Sequence, residues 1–284
     1  MAIEFPRTTV GGVSLPRMLM GTNWLMGYSH RSYAADLGIR ERYSTPEAYF
    51  PVLEEYMKYG IDAIMGPISG DPIATEAVRY AEDKLGRKII IIDTPWMNVD
   101  DTPEARAEAE AVIKKSAEIG STFCLVHHGC AEQLVNKNKR TMDRLPDYLY
   151  MIRENGLIPG LSAHMPELIL YSDANEYDVE TYIQIFNCMG FLMQIEIESV
   201  ARIIQNAKKP VMTIKPFAAG RCTPFVGLTF NWNVLRECDM ITVGASTPYE
   251  VKEDVELSIE ILEKRFPNIA ARSSPAKQEI LGHK

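Results

Sequence analysis

The chain has 284 residues, of which 46% are hydrophobic and 24% are charged, and its formal net charge is −8. This acidic balance opposes a nucleic-acid surface, which needs clustered lysines and arginines, and the hydrophobic share excludes general disorder. No apolar run reaches the roughly 20 residues of a membrane helix, and the amino-terminal residues lack the layout of a signal peptide, so we predict a cytoplasmic protein.

The length suits a single domain, because a (β/α)8 barrel takes roughly 250 residues. We therefore predict one domain over residues 1–284, with a carboxyl-terminal tail from about residue 267. The five cysteines are widely spaced and contain no C-x-x-C pair. They are predicted to be reduced thiols, which opposes a disulfide framework and a cysteine-only metal site.

Short apolar segments alternate with longer amphipathic ones eight times, as in consecutive βα units. Threonine followed by proline, with an acidic residue in the first turn, predicts helix starts at Thr45, Thr102 and Thr247. Eight units indicate a closed α/β barrel, the (β/α)8 TIM barrel, and no G-x-G-x-x-G motif supports a Rossmann fold. The predicted strands are residues 17–21, 61–65, 88–93, 122–127, 157–161, 191–197, 210–215 and 239–244.

Two connections are longer than the others, residues 22–44 after the first strand and residues 216–228 after the seventh. Loops of this length are usually functional, and we predict that the first forms a lid over a small-molecule substrate. The residues expected to bind substrate are Asn23, Trp24, Tyr28, His30 and Arg221.

Polar residues follow several strands at the carboxyl end, where barrel enzymes carry their chemistry. Asp93 ends the third predicted strand, His127 and His128 close the fourth, and His164 follows the fifth. Strand alternation allows only one of the two adjacent histidines to face the barrel mouth, and the sequence leaves open which one. Each of these residues also has a structural alternative, as a loop cap or as a hydrogen-bonded core residue.

The sixth predicted strand carries Gln194, Glu196 and Glu198 on one face, because the side-chain period of a strand is two. A carboxylate inside a barrel must be paired, protonated or metal-bound, which makes Glu196 a candidate ligand. Glu198 is either a catalytic acid or a first-turn residue of the next helix. Lys215 ends the seventh strand as a candidate base, Schiff-base amine or oxyanion clamp, or as an ion-pair partner of Glu196 or Asp93.

Asp93, His127, His164 and Glu196 come from successive predicted strands and form a ligand set suited to Zn²⁺, Mn²⁺ or Fe²⁺. The leading hypothesis is therefore a metal-assisted isomerase, epimerase or lyase that acts on a small hydroxy or carbonyl compound, for example a sugar-like one. In this hypothesis Lys215, His127 and Glu198 are the catalytic groups.

Several segments, taken in order, resemble the aldo-keto reductase superfamily. They are residues 11–21 with Thr22-Asn23-Trp24, Leu125-Val126-His127, Gly160-Leu161-Ser162-Ala163-His164, Gln194-Ile195-Glu196, residues 215–220 and residues 243–248. The resemblance implies a (β/α)8 barrel and nicotinamide-dependent oxidoreduction, with His127 at the position of that family's catalytic histidine.

The family's catalytic Asp/Tyr/Lys pattern is not kept. Met65 stands where the aspartate is expected, no tyrosine follows shortly after it, and Asp93 lies near the expected lysine. Ala163-His164 replaces the family's nicotinamide-holding Ser-Asn pair, and the basic residues that bind the cofactor phosphate are missing from residues 246–255. The second hypothesis is an atypical NAD(P)-dependent oxidoreductase, and the third is a non-catalytic ligand-binding barrel. A membrane is not an expected partner, and a homo-oligomer is left open.

Overall fold

The computed structural model describes residues 4–267, and the tail predicted from about residue 267 lies beyond this range. Eight parallel strands close into a barrel in chain order, which confirms the predicted TIM barrel. The eighth strand pairs with the first, with Ile241 opposite Met18. The strands are β1 (Met18–Gly21), β2 (Ala63–Gly66), β3 (Ile90–Asp93), β4 (Phe123–Val126), β5 (Ile158–Ala163), β6 (Tyr182–Ile185), β7 (Val211–Ile214) and β8 (Met240–Gly244).

Helices surround the barrel, and the predicted helix starts are in place. The side chain of Thr102 accepts a hydrogen bond from the Ala105 amide, and that of Thr247 accepts one from the Glu250 amide, whereas Thr45 makes no such bond. The helices of the described range are α1 (Asn23–Met26), α2 (Tyr33–Arg42), α3 (Pro46–Lys58), α4 (Pro72–Leu85), α5 (Pro103–Glu118), α6 (His128–Ala131), α7 (Leu145–Glu154), α8 (Glu167–Asn175), α9 (Ile197–Asn206), α10 (Pro224–Val234) and α11 (Pro248–Leu262). Among residues 4–267, no helix has the length and apolar composition that a membrane crossing requires.

The predicted position of the sixth strand, residues 191–197, is wrong. Strand β6 lies earlier, where Tyr182 pairs with Leu161 of β5 and with Val211 of β7. The predicted segment forms turns that lead into α9. Less exposed and exposed residues do alternate along this segment, but the exposed ones face solvent. A barrel strand is instead covered on both faces.

The core has two parts, one inside the barrel and one between the strands and the helices. Side chains such as Leu19, Leu125 and Met212 fill the interior. An amino-terminal hairpin, formed by Arg7–Val10 and Val13–Pro16, places Val10 and Leu15 in the same interior cluster. This hairpin closes the amino-terminal end of the barrel and leaves the carboxyl-terminal end for the site.

A buried charged network ties the amino-terminal ends of β7 and β8 together. The carboxylate of Asp239 is fully buried and accepts hydrogen bonds from the Val211 amide at 2.9 Å and from two guanidinium nitrogens of Arg236 at 2.8 and 2.7 Å. The Arg17 guanidinium donates to the backbone oxygen of Asp239 and lies over the Trp232 ring. The buried Asp239 carboxylate is therefore paired with Arg236, and the buried Arg17 guanidinium is hydrogen-bonded to backbone oxygens, which is what buried charges need to be stable.

Candidate active site

A cavity of about 1170 Å³ opens at the carboxyl ends of the strands. Residues that follow β1, β2, β4, β5, β7 and β8 line it, and the two long connections after β1 and β7 form much of its wall. This is the place where barrel enzymes carry their active sites. The described structure thus brings the polar strand-end residues together in one concave site.

Three imidazoles lie together on one side of this cavity. His127 follows Leu125 on the interior face of β4, and His128 begins α6 directly afterwards. The His127 and His128 ring centroids are 4.3 Å apart, and the His128 ring stacks on His164 at 3.7 Å with an interplanar angle of 18°. Both adjacent histidines line the cavity, because the strand alternation ends at the first and a helical turn begins at the second.

Burial keeps these imidazoles uncharged near neutral pH. Burial, reinforced by the neighbouring Lys215, lowers the pKa of His127 and of His128 to about 4 and that of His164 to about 2. His127 Nδ1 accepts a hydrogen bond from the Gly129 amide at 3.2 Å, so the neutral ring carries its proton on Nε2. His127 can therefore donate a hydrogen bond without being a strong acid.

Lys215 lies against this cluster and completes it. Alternation along β7 turns Thr213 toward the helices and would turn Lys215 the same way. The φ of 61° at Lys215 interrupts this alternation, so the lysine lines the cavity instead. The ammonium Nζ lies 3.4 Å from Nε2 of His164 and donates to it. Burial lowers the pKa of Lys215 to about 8, and within residues 4–267 no carboxylate forms an ion pair with it. The predicted alternative, an ion pair with Glu196 or Asp93, is wrong.

Asp93 does not face the cavity. Ile92 occupies the barrel interior, so alternation turns the next side chain outward, toward the helices. The Asp93 carboxyl is fully buried there and accepts a hydrogen bond from the Ser69 amide at 3.2 Å. Burial raises the pKa of Asp93, which makes it a buried structural acid rather than a ligand in the mouth.

Glu196 and Glu198 also lie outside the cavity. Glu196 is the exposed residue that precedes α9, and Glu198 is exposed in the first turn of that helix, where an acidic side chain is favourable. Their predicted roles as metal ligand and catalytic acid depended on the misplaced sixth strand. The predicted four-residue metal site is consequently not assembled.

A different group of possible ligands does exist beside the cavity. In the described range, ligand atoms of His128, Glu132 and His164 lie within 4.8 Å of one another. A metal ion must lie near the plane of each imidazole it binds, at about 2.1 Å, and two stacked rings cannot meet this condition together. Glu132 Oε1 is already bound to the amides of His164 and Met165 at 2.7 and 2.9 Å. The group would have to rearrange before it could bind an ion.

The residues predicted to bind substrate all line the cavity: Asn23, Trp24, Tyr28, His30 and Arg221. Trp24 packs so closely on Gly244 that a Cβ there would lie 2.9 Å from the indole ring. The Arg221 guanidinium lies 4.0 Å from the Phe191 ring centroid and donates to the Ala218 oxygen. Their positions agree with a binding role, and the role itself stays a prediction.

Thr242 and Asp254 are among the lining residues that the sequence analysis missed. Thr242 Oγ1 and Asp254 Oδ1 are buried and lack a hydrogen-bond partner among the described residues. Burial, reinforced by the charges of Glu253 and Glu250, raises the pKa of Asp254 well above its usual range and so favours the neutral form of its carboxyl. The sequence did carry a signal, because Asp254 shares the apolar face of α11 with Val251 and Val255.

The loop that follows β7 is strained. Ala218, Ala219 and Gly220 have φ values of 49°, 58° and 80°, and the left-handed region is costly for residues that carry a Cβ. Helix α10 holds this loop in place through Gly227, where an added Cβ would lie 2.7 Å from the Pro216 oxygen. The position of Lys215 therefore depends on a close contact between a helix and a strained turn.

We expect Gly227→Ala to displace this turn, because the Pro216 oxygen is backbone and cannot swing aside. The substitution should destabilise the protein by about 1–3 kcal/mol and reduce any activity that depends on Lys215. Thermal unfolding and steady-state kinetics would measure the two effects. Gly70→Ala is the matched control, since nothing lies within 4 Å of its added Cβ. If both variants had the same unfolding temperature and the same activity, the close contact between Gly227 and the turn would be contradicted.

No family model matches the chain, and no curated protein matches it. Solved structures do. A Pseudomonas aeruginosa protein assigned to the aldo-keto reductases matches with a TM-score of 0.63 at 14% identity, over 92% of this chain and 98% of that one. An aldo/keto reductase from Klebsiella pneumoniae in complex with NADP and acetate matches with a TM-score of 0.54 at 14% identity, over 98% and 95% of the two chains.

Aldose reductase from Giardia lamblia is a further similar structure, with a TM-score of 0.53 at 14% identity over 93% of this chain and 90% of that one. At such identities a likeness in structure carries information about the fold rather than about the reaction. The chain thus has the eight-stranded parallel barrel of the aldo-keto reductases, its structural neighbours.

Proposed function

We propose that this protein is an atypical nicotinamide-dependent oxidoreductase that acts on a small carbonyl compound. The observation that carries the proposal is the ammonium of Lys215, which lies beside neutral imidazoles in the mouth of a large cavity. A carbonyl that accepts a hydride needs a proton on its oxygen, and Lys215 is an acid of suitable pKa for that transfer. The aldo-keto reductase fold of the structural neighbours supports the same reaction class.

The cavity has features that suit a dinucleotide. Its volume of about 1170 Å³ exceeds the roughly 300–1,000 Å³ of a common small-molecule pocket. The N-terminus of α10 lies on the cavity wall and would hold the pyrophosphate. The unsatisfied Thr242 Oγ1 and Asp254 Oδ1 would bond with hydroxyl or amide groups of the cofactor. The donor set therefore fits such a group.

The side chains of this cluster have separate roles in the proposed reaction. A bound nicotinamide would supply the hydride or accept it. Lys215 donates the proton to the carbonyl oxygen, and His164 Nε2 orients the ammonium through their hydrogen bond. His127 polarises the carbonyl from its protonated Nε2. Lys215 thus takes the role of general acid in the proposed reaction.

We expect the protein to prefer NAD to NADP. Glu250 and Glu253 line the cavity on α11, and Glu250 accepts hydrogen bonds from the amide and hydroxyl of Ser246. A carboxylate there would repel the additional phosphate of NADP. The affinity for NAD, measured by fluorescence titration, should exceed that for NADP by about tenfold or more, which is 1.4 kcal/mol.

Glu250→Gln should raise the affinity for NADP and so reduce the preference for NAD over NADP. Glu256→Gln is the matched control, because Glu256 lies on the same helix but does not line the cavity. A preference for NADP in the wild-type protein, or equal effects of both substitutions, would contradict the assignment.

Binding and turnover together test the proposed function. Trp24 and Trp96 line the cavity, so a bound nicotinamide should quench their fluorescence. Turnover would be followed by the absorbance of the reduced nicotinamide with a panel of small aldehydes, ketones and 2-oxo acids. Absence of quenching at roughly millimolar cofactor would end this proposal, because a Kd of about 1 mM corresponds to a binding free energy of only about −4 kcal/mol.

The metal-assisted isomerase or lyase has less support. Two of its four predicted ligands, Asp93 and Glu196, lie away from the cavity. The nearby group of His128, Glu132 and His164 requires the separation of stacked rings before it could bind an ion. Elemental analysis of the purified protein would test this alternative, because a stoichiometric, tightly held Zn, Mn or Fe would favour it over the oxidoreductase.

A further inference from the structure

The basic and the acidic residues that line the cavity lie on different sides of it. Lys215 and Arg221 come from the end of β7 and its loop, while His30 and Arg31 come from the loop after β1. The acidic lining residues of the described chain all belong to α11: Glu250, Glu253 and Asp254. One side of the cavity is therefore basic and rich in imidazoles, and the other is acidic.

The charge of Asp36 acts on His30, but the cationic side chains of the basic side form no ion pair within residues 4–267. Neither Lys215 nor Arg31 nor Arg221 forms an ion pair with a carboxylate of this range. Arg31 lies over the Trp24 ring, and Arg221 lies over a phenylalanine ring. Burial lowers the pKa of His30, the charge of Lys215 lowers it further, the carboxylate of Asp36 opposes this effect, and Arg221 makes a smaller contribution that lowers it. Arg31 and Arg221 are exposed, whereas Lys215 is half-buried; a half-buried ammonium without a counter-ion is costly, and a bound anion would remove that cost.

We propose that the substrate carries a carboxylate next to its reacting carbonyl, as a 2-oxo acid does, and that Lys215, Arg221 and His30 bind this carboxylate. Arg221 presents a planar guanidinium, which matches the two oxygens of a carboxylate. Lys215 contributes one buried positive charge, which one negative charge balances. In a 2-oxo acid the carboxylate and the carbonyl oxygen are adjacent, so the same ammonium reaches both. This inference rests on the proposed function for its reaction, but not for its binding step.

Binding of the carboxylate should take up protons. An anion beside Lys215 favours the charged forms of that lysine and of the imidazoles, so their pKa values rise on binding. Affinity should consequently weaken as the pH rises above about 8, the pKa of Lys215 in the unliganded protein. The titratable and charged groups that face this region are Tyr28, His30, Arg31 and Arg42 after β1, His127 and His128 after β4, His164 after β5, Arg221 and Cys222 after β7, and Glu250, Glu253 and Asp254 on α11. The carboxylate of Asp36 also acts on His30.

Oxamate is a suitable probe, because it mimics a 2-oxo acid and does not react. Its binding to the full chain would be measured by calorimetry in two buffers of different ionisation enthalpy, from about pH 6.5 to about pH 9. We expect binding with proton uptake and a loss of at most about tenfold in affinity per pH unit above the lysine pKa. Lys215→Met and Arg221→Gln should each weaken binding about tenfold or more. Lys88→Met is the control, because this lysine is 89% exposed and lies before β3, at the opposite end of the barrel.

Equal affinity for oxamate and for its neutral amide, oxamide, would overturn the inference, as would full binding by Lys215→Met. Tighter binding of inorganic phosphate than of oxamate would assign the site to a phosphate group and would also overturn it. Circular dichroism would confirm that each variant is folded. A chain that reduces neutral aldehydes but ignores oxamate would refute the carboxylate site alone. A chain that binds oxamate but never uses a nicotinamide would refute the proposed function alone.

Discussion

Lys215→Met is expected to lower kcat for carbonyl reduction by about 10²–10⁴-fold, the usual contribution of a general acid. In the wild-type protein the active form of this lysine is the protonated one. The rate should therefore fall as the pH rises through about 8, and this fall should be absent from the residual activity of the variant. A pH profile of kcat for both proteins is the measurement.

The same substitution should raise stability near neutral pH, which separates a chemical effect from misfolding. Folding lowers the pKa of Lys215 from its ordinary value of 10.5 to about 8, so the unfolded chain binds more protons between these two values. Stability from this group consequently rises with pH across that window, and below it the buried ammonium destabilises the fold. Methionine removes this cost and fills similar space. Denaturant unfolding of Lys215→Met near neutral pH would measure the gain.

Lys215→Arg gives a second readout. Arginine keeps the positive charge but cannot donate its proton at neutral pH, because its pKa lies above about 12. Carboxylate binding should survive in part in this variant, whereas turnover should not. Recovery of wild-type turnover by arginine would show that Lys215 acts through its charge alone and would remove it as the general acid.

Asp239→Ala is expected to cost about 3–5 kcal/mol of unfolding free energy, the usual result of breaking a buried ion pair. The substitution leaves the Arg236 guanidinium, whose side chain is 20% exposed, without its carboxylate, and leaves the Val211 amide without its acceptor. Urea unfolding followed by circular dichroism would measure the loss. The effect should appear in stability, because the network lies at the end of the barrel opposite to the cavity.

Asp147→Ala is the matched control for this experiment. Asp147 pairs with Arg106 at 3.1 Å, but both side chains are more than half exposed. A surface pair of this kind contributes at most about 1 kcal/mol. A similar loss in both variants would mean that burial does not govern the strength of the Asp239 network.

The barrel itself was predictable from sequence, because its strands are apolar runs separated by capped helices. All predicted strands except the sixth overlap a barrel strand. The sixth failed because Tyr182–Ile185 is short and contains a buried glutamine, Gln184, whereas the later segment shows a clearer alternation. Alternation alone does not distinguish a barrel strand from a surface segment that leads into a helix.

The site was predictable only in part, since its geometry depends on which face each strand end presents. His127 and His164 were placed correctly in the mouth, but Asp93 was not, because a shift of one residue reverses the face of a strand. Lys215 reaches the cavity through a left-handed backbone conformation, which could not be predicted from the pattern of residues. The role of Asp254 required knowledge of how α11 packs on the barrel.

The hairpin of Arg7–Val10 and Val13–Pro16 closes the amino-terminal end of the barrel with Val10 and Leu15. In the proposed oxidoreductase, cofactor and substrate would therefore both enter and leave by the carboxyl-terminal face. The molecule that binds deeper would have to bind first and leave last. We then expect steady-state kinetics with a compulsory order of addition, and inhibition by an excess of the molecule that binds second.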